Sequence, residues 1–214
     1  MIKAVIFDLD GTLLDTLEGL KDSVNFALNE FNYSLKNLEQ IRSYVGNGVS
    51  KLIERSIPDG KENPDFENCL SVFKNHYSKN MKEKTRPYPQ VIELLETLKL
   101  KNIKVAVVSN KYDLAVKDLC RNYFDGLIDM AVGEGEFCRP KPYCDGIDKV
   151  LSEFKLNKDE VLYVGDSEVD ILTAKKAEIK MVCVSWGFRN VSFLKENGAN
   201  IIINSAMELI NFID

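Results

Sequence analysis

Four short runs of β-branched and apolar residues, each ending abruptly in small or polar ones, punctuate the chain. They are AVIFD at 4–8, VAVVSN at 105–110, VLYVGD at 161–166 and MVCVS at 181–185. Near-continuous apolarity over so few residues suits a strand buried on both faces of a parallel sheet. Weaker runs lie at 127–132 and 201–203, and helical periodicity fills the intervals at 91–99, 114–122, 144–154, 171–177 and 206–213. Alternation of this kind predicts an α/β chain with a doubly wound parallel sheet and right-handed crossovers. On such a sheet, functional groups gather at the C-terminal ends of the strands.

Residues 15–86 break the alternation. Leu17, Leu20, Val24 and Leu28, then Phe66, Leu70, Phe73 and Tyr77, carry helical spacing without a clear strand. The sequence therefore divides into a core of 1–14 and 87–214 and a helical insertion of 15–86. Arg86-Pro87-Tyr88-Pro89 marks the return, because each proline fixes its own φ and biases the residue before it away from helix. A chain of 214 residues has room for both parts. The net charge of -5 gives no general electrostatic reason to bind nucleic acid or an anionic membrane. Five scattered cysteines without CxxC spacing argue against a disulfide framework or a zinc site, and point to free thiols in a reducing cytoplasm. The apolar run 2–7 is too short for a signal-peptide core or a membrane span.

Asp8-Leu9-Asp10-Gly11-Thr12 follows the first run directly. In extended chain, residues two apart project to one side, so Asp8 and Asp10 can share a cleft while Leu9 turns inward. Two carboxylates so placed repel, and keeping both charged calls for a cation. Oxygen ligands favour a hard ion such as Mg2+. Gly11 permits a tight turn exposing backbone N–H groups, and the Thr12 hydroxyl adds a donor for phosphate. One carboxylate can then attack a phosphoryl group while the other transfers protons. An ordinary Asp-Gly turn competes with this reading.

The third run ends in Gly165-Asp166-Ser167-Glu168-Val169-Asp170. If a helix begins there, i,i+4 spacing sets Asp166 and Asp170 near one face. Asp166 suits a metal ligand and Asp170 a supporting group behind it. Ser109 and Asn110 end the second run and offer donors to phosphate oxygens, although helix capping also explains them. Lys141, between Pro140 and Pro142, is a cation on a stiffened segment. Lys111, next to Asn110, either lines the pocket or starts a solvated helix.

Taken in order, these four segments resemble the motifs of the haloacid dehalogenase superfamily of phosphohydrolases. The resemblance implies a Rossmann-like core with a small all-helical cap domain inserted after the first strand. It further implies Asp8 as nucleophile, Asp10 as acid and base, and Ser109 and Lys141 holding phosphate, beside the donors already read at Thr12 and Asn110. Mg2+ would sit on Asp8, the Asp10 main-chain carbonyl and Asp166, with Asp170 behind. Val45-Gly46-Asn47-Gly48-Val49 in the cap and Ser185-Trp186-Gly187-Phe188-Arg189 after a late strand are similar to the phosphoglycolate phosphatase branch. Gly46, Asn47 and Lys51 are the cap's candidate substrate contacts. A small phosphorylated metabolite is the expected partner of a cytoplasmic monomer or homodimer. Pyrophosphatases and phosphosugar mutases of the superfamily are the alternatives. A dehalogenase needs neither a metal nor a second aspartate, and a non-catalytic relative would be expected to have lost an acidic residue. In place of the second proline of the family's Pro-X-Pro stands Cys144, which is expected to loosen the Lys141 loop.

Overall fold

A computed structural model describes residues 1–213, which divide into two compact units, 1–14 with 87–213 and 15–86. The first unit is built on a six-stranded sheet. Its strands are β1 (Ala4–Phe7), β4 (Lys104–Tyr112), β5 (Met130–Glu134), β6 (Val161–Gly165), β7 (Lys180–Val184) and β8 (Ile202–Ile203), in the spatial order β5-β4-β1-β6-β7-β8. The paired strands run parallel. β1 and β6 are buried along their whole length, as their uninterrupted apolarity requires.

Helices α5 (Val91–Leu100), α6 (Asp113–Phe124), α7 (Asp145–Phe154), α8 (Glu168–Ala177) and α9 (Val191–Glu196) fill the connections. One core cluster joins Ile6, Val108 and Tyr163 of the sheet to Ile147 and Val150 of α7 and Ala174 of α8. Burying an Ile or Val side chain in such a cluster contributes about 1.5–3 kcal/mol. Two elements differ from the sequence expectation. Residues 206–212 form a 3₁₀ helix. The short α9 lay hidden because its six residues are too few to show a period.

Chain order reverses across the middle of the sheet, since β1 lies between β4 and β6. Register sets Phe7 opposite Val107 on one side and Val164 on the other. The residues just beyond these pairs therefore emerge side by side, where an open α/β sheet places a ligand.

The second unit contains α1 (Leu17–Glu30), α2 (Leu38–Tyr44), α3 (Gly48–Ser56) and α4 (Phe66–Asn80). Leu20, Val24 and Leu28 of α1 are buried, as are Leu70, Phe73 and Tyr77 of α4. His76, the only histidine, stacks on Phe26 at 4.1 Å between ring centroids and meets the Ser23 hydroxyl at 3.0 Å. β2 (Leu14–Asp15) and β3 (Arg86–Pro87) pair as a two-stranded sheet where the chain passes from one unit to the other and back.

Candidate active site

The loop after β1 is wound tightly on one carbonyl. The N–H groups of Thr12, Leu13 and Leu14 all donate to Leu9 O, at 3.3, 3.0 and 2.9 Å, and Gly11 N–H donates to Leu14 O at 2.9 Å. Gly11 takes φ +88°, the left-handed region that glycine enters without a steric cost. Leu9 is wholly buried. The Asp8 N–H donates to Val164 O at 2.8 Å, and its Oδ1 accepts from Leu9 N–H at 2.7 Å and pairs with Lys141 Nζ at 2.9 Å.

At the end of β4 the pairing with β5 shifts register between Val108 and Tyr112. A regular strand would send alternate side chains to opposite faces. Here Ser109, Asn110 and Lys111 are instead three consecutive buried polar residues. Lys111 Nζ lies 3.0 Å from Asp10 Oδ2, so this lysine lines the site. The other oxygen, Asp10 Oδ1, is buried without a hydrogen-bond partner. Asn110 grips the main chain of Lys141 in both directions: its Nδ2 donates to Lys141 O at 3.0 Å and its Oδ1 accepts from Lys141 N–H at 2.5 Å. Expected as a phosphate donor, Asn110 spends both ends of its amide on holding a lysine in place.

Packing and side-chain hydrogen bonds flank the Lys141 segment where the proline is missing. Cys144 sits at the N-cap of α7 and packs on the core cluster. Arg139 forms a fork on Asp145, with Nε at 2.9 Å and Nη2 at 2.8 Å from its two oxygens. This pairing holds the Asp145 carboxyl down at about 2. Side-chain hydrogen bonds thus stand on this segment where the second proline ring is missing.

Asp170 is completely buried and saturated. Its Oδ1 accepts from Lys141 Nζ at 2.6 Å and from the Tyr163 hydroxyl at 2.9 Å. Its Oδ2 accepts from the Ser167 hydroxyl at 2.6 Å and from the N–H groups of Ser167 and Asp166 at 3.1 and 3.3 Å. Burial alone would raise the Asp170 carboxyl, yet the Lys141 charge and these donors hold it below the usual range. Burial would also discharge Lys141, but Asp170 and Asp8 outweigh it and push the ammonium well upward. Asp166 precedes α8 rather than sharing its face with Asp170. The reason is that Ser167 caps the helix and Asp170, three residues on, completes the capping box.

Asp166 accepts from the Thr12 hydroxyl at 3.1 Å on Oδ1 and from Phe188 N–H at 2.7 Å on Oδ2. The Thr12 hydroxyl, expected on phosphate, is thus turned to a carboxylate. Asp8, Asp166 and Asp170 each bring an oxygen to within 4.8 Å of the others. Burial, then the neighbouring carboxylates, push Asp166 well above the usual carboxylate range. Asp8 rises to about 7, because burial and the charges of Asp170 and Asp10 exceed the help from Lys141. Fully ionised, Asp8, Asp166 and Asp170 would set three negative charges against the single ammonium of Lys141, an excess of two. That excess and the all-oxygen donor set fit a divalent cation. Since Asp170 already accepts five hydrogen bonds, Asp8 and Asp166 are the carboxylates with capacity for it.

In the helical unit, Gly46 takes φ +114° before α3. Asn47 Oδ1 accepts from Arg55 Nη2 at 2.9 Å, and Lys51 pairs with Glu54 at 2.7 Å. Tyr163 is the site residue that the sequence reading missed. Buried mid-strand in an apolar run, it gave no signal separating a core aromatic from one with a partnered hydroxyl.

A sequence profile for haloacid dehalogenase-like hydrolases matches residues 5–184. A phosphoglycolate phosphatase from Aquifex aeolicus is 33% identical over 188 residues, covering 87% of this chain and 86% of that protein. Another from Nitrosospira multiformis is 32% identical over 221 residues, covering 99% and 96%. The crystal structure of a proposed phosphoglycolate phosphatase from Lactobacillus delbrueckii subsp. bulgaricus superposes with a TM-score of 0.94 at 34% identity, covering 99% and 98%. With the profile spanning most of its length and the acidic cluster at the sheet's switch point, the chain belongs to the haloacid dehalogenase-like hydrolase family.

Proposed function

We propose that this phosphoric monoester hydrolase cleaves a small phosphomonoester, 2-phosphoglycolate being the best candidate, through an aspartyl-phosphate on Asp8. The observation that carries the reading is the buried Asp8 carboxylate, 2.9 Å from Lys141 and beside Asp166, within a cluster two positive charges short of balance. Relatives named phosphoglycolate phosphatase, matched over nearly the whole chain, support the substrate class.

Asp8, the Asp10 main-chain carbonyl and Asp166 would hold Mg2+, with Asp170 behind them. The ion would keep Asp8 ionised and offset the charge of the approaching phosphate. Asp8 attacks phosphorus as the ester P–O bond breaks, and Asp10 gives its proton to the departing oxygen. Asp10, now a carboxylate, takes a proton from water as that water attacks the same phosphorus. The bond to Asp8 breaks, phosphate leaves, and Asp10 is again protonated. Lys141 and the Ser109 hydroxyl stabilise the phosphoryl oxygens, with Thr12 and Asn110 holding the loops around them. The helical unit acts as a cap, with Gly46, Asn47 and Lys51 as candidate contacts for the leaving group.

A panel of phosphoesters, hexose phosphates and pyrophosphate, assayed for phosphate release with Mg2+ and again with EDTA, tests the substrate class. Release from 2-phosphoglycolate that EDTA removes and Mg2+ restores is expected. Activity confined to pyrophosphate would overturn the assignment.

A further inference from the structure

The segment Ser185-Trp186-Gly187-Phe188-Arg189 follows β7, and the hydrolytic scheme leaves it without a task. Its contacts fall on the nucleophile loop and on the start of α8. Trp186 Nε1–H donates to the Thr12 main-chain carbonyl at 3.1 Å. Phe188 N–H donates to Asp166 Oδ2 at 2.7 Å. Arg189 forks onto Glu168, the first residue of α8, with Nε at 2.8 Å and Nη2 at 3.3 Å. Between the indole and the Phe188 amide lies Gly187. A Cβ built there would stand 2.3 Å from Asp166 Cβ and 2.5 Å from Asp166 Oδ2. On the other side, a Cβ at Gly11 would stand 2.5 Å from the same oxygen. The Asp166 carboxylate is therefore sandwiched between two glycines, one in each segment, and Thr12 links them by donating to Asp166 while accepting from Trp186.

We infer that Trp186, Gly187 and Phe188 form a positioning strap that fixes the Asp166 carboxylate against the Asp8 loop and so sets the affinity for the divalent cation. This rests on the reading that Asp8 and Asp166 hold that ion. The strap works through three separable features. The indole N–H anchors the nucleophile loop, the amide of Phe188 orients one Asp166 oxygen, and the bare Cα of Gly187 provides the space. Gly187 does not have a left-handed φ, so the obstacle to alanine there is steric, and the nearest atoms it meets belong to Asp166. A Cβ cannot approach that close to another carbon, and either the carboxylate or the strap must shift. Trp186→Phe keeps an aromatic ring while removing the donor and part of the indole's packing surface.

Mg2+ affinity is measured by titration calorimetry, without substrate, on wild type, Asp166→Asn, Gly187→Ala and Trp186→Phe, with circular dichroism confirming that each is folded. Wild type should bind one ion and Asp166→Asn should lose it. Gly187→Ala should weaken binding at least ~10-fold and Trp186→Phe ~3- to 10-fold, for losses of about one or two hydrogen-bonded constraints near a ligand. If wild type binds no ion, or Asp166→Asn binds as tightly as wild type, the metal assignment itself fails. If Asp166→Asn loses the ion while Gly187→Ala and Trp186→Phe bind like wild type, the strap is refuted and the metal site stands. Should Gly187→Ala not fold, Trp186→Phe alone decides, with unchanged affinity overturning the inference.

Discussion

At the scale of single residues, the site depends on groups that hold other groups. Asn110 illustrates this: both ends of its amide are bound to the Lys141 main chain. Asn110→Ala leaves a buried N–H and a buried carbonyl without these partners, each worth about 1–3 kcal/mol. The variant is expected to lose about 2–6 kcal/mol in urea unfolding and to change more in kcat than in KM. A drop in stability under about 0.5 kcal/mol, the usual range of surface substitutions, would show that the grip is unimportant. The sequence made Asp8, Asp10, Ser109, Lys141 and Asp166 visible because each ends a run or stands in a distinctive loop. It was silent on the Asn110 grip, the Tyr163 hydroxyl and the turn of Thr12 toward Asp166. Those facts depend on contacts across 31, 7 and 154 residues of chain, which no local pattern encodes.

Among the elements, strands read most clearly, since β1, β4, β6 and β7 are apolar enough to require burial on both faces. Their ends read less well. The register shift in β4 that turns three consecutive polar side chains inward has no mark in Val107-Val108-Ser109-Asn110-Lys111. The helical pattern shows α8 only from 171, whereas the helix starts at Glu168 with Ser167 and Asp170 forming its cap. That cap joins helix stability to the site, because the Asp170 oxygen that accepts from Ser167 belongs to the carboxylate that holds Lys141. Ser167→Ala should therefore cost about 1–2 kcal/mol by chemical denaturation. It should also lower kcat/KM, an effect foreign to a cap remote from a site. A variant with wild-type stability and wild-type kinetics would separate α8 from the chemistry.

For the whole molecule, charge balance is the governing quantity. Without a cation, burial and the neighbouring carboxylates push Asp8 up to about 7, against 3.8 for the free group. An acid whose folded value exceeds its unfolded one destabilises the fold when ionised. That cost is full above the folded value and vanishes as pH falls toward the unfolded one. Asp166 shifts the same way, whereas Asp170 shifts down, and its stabilisation is lost only as pH drops below the ordinary carboxylate range. In EDTA, then, the melting temperature should rise as pH is lowered from about 8 to about 5, and saturating Mg2+ should flatten that slope. Scanning calorimetry in the two buffers checks it, and a metal-free melting point that climbs steadily toward pH 8 would be inconsistent with this charge arrangement. The fold followed from patterning along the core strands, but the balance among Asp8, Asp166, Asp170 and Lys141 emerges only when three distant segments converge. Phosphate release from 2-phosphoglycolate with Mg2+, compared between wild type and Asp8→Asn, probes the proposed covalent chemistry most directly. Loss of at least ~10³-fold in kcat with the fold intact is the expected result, and turnover by Asp8→Asn within tenfold of wild type would contradict Asp8 as the nucleophile.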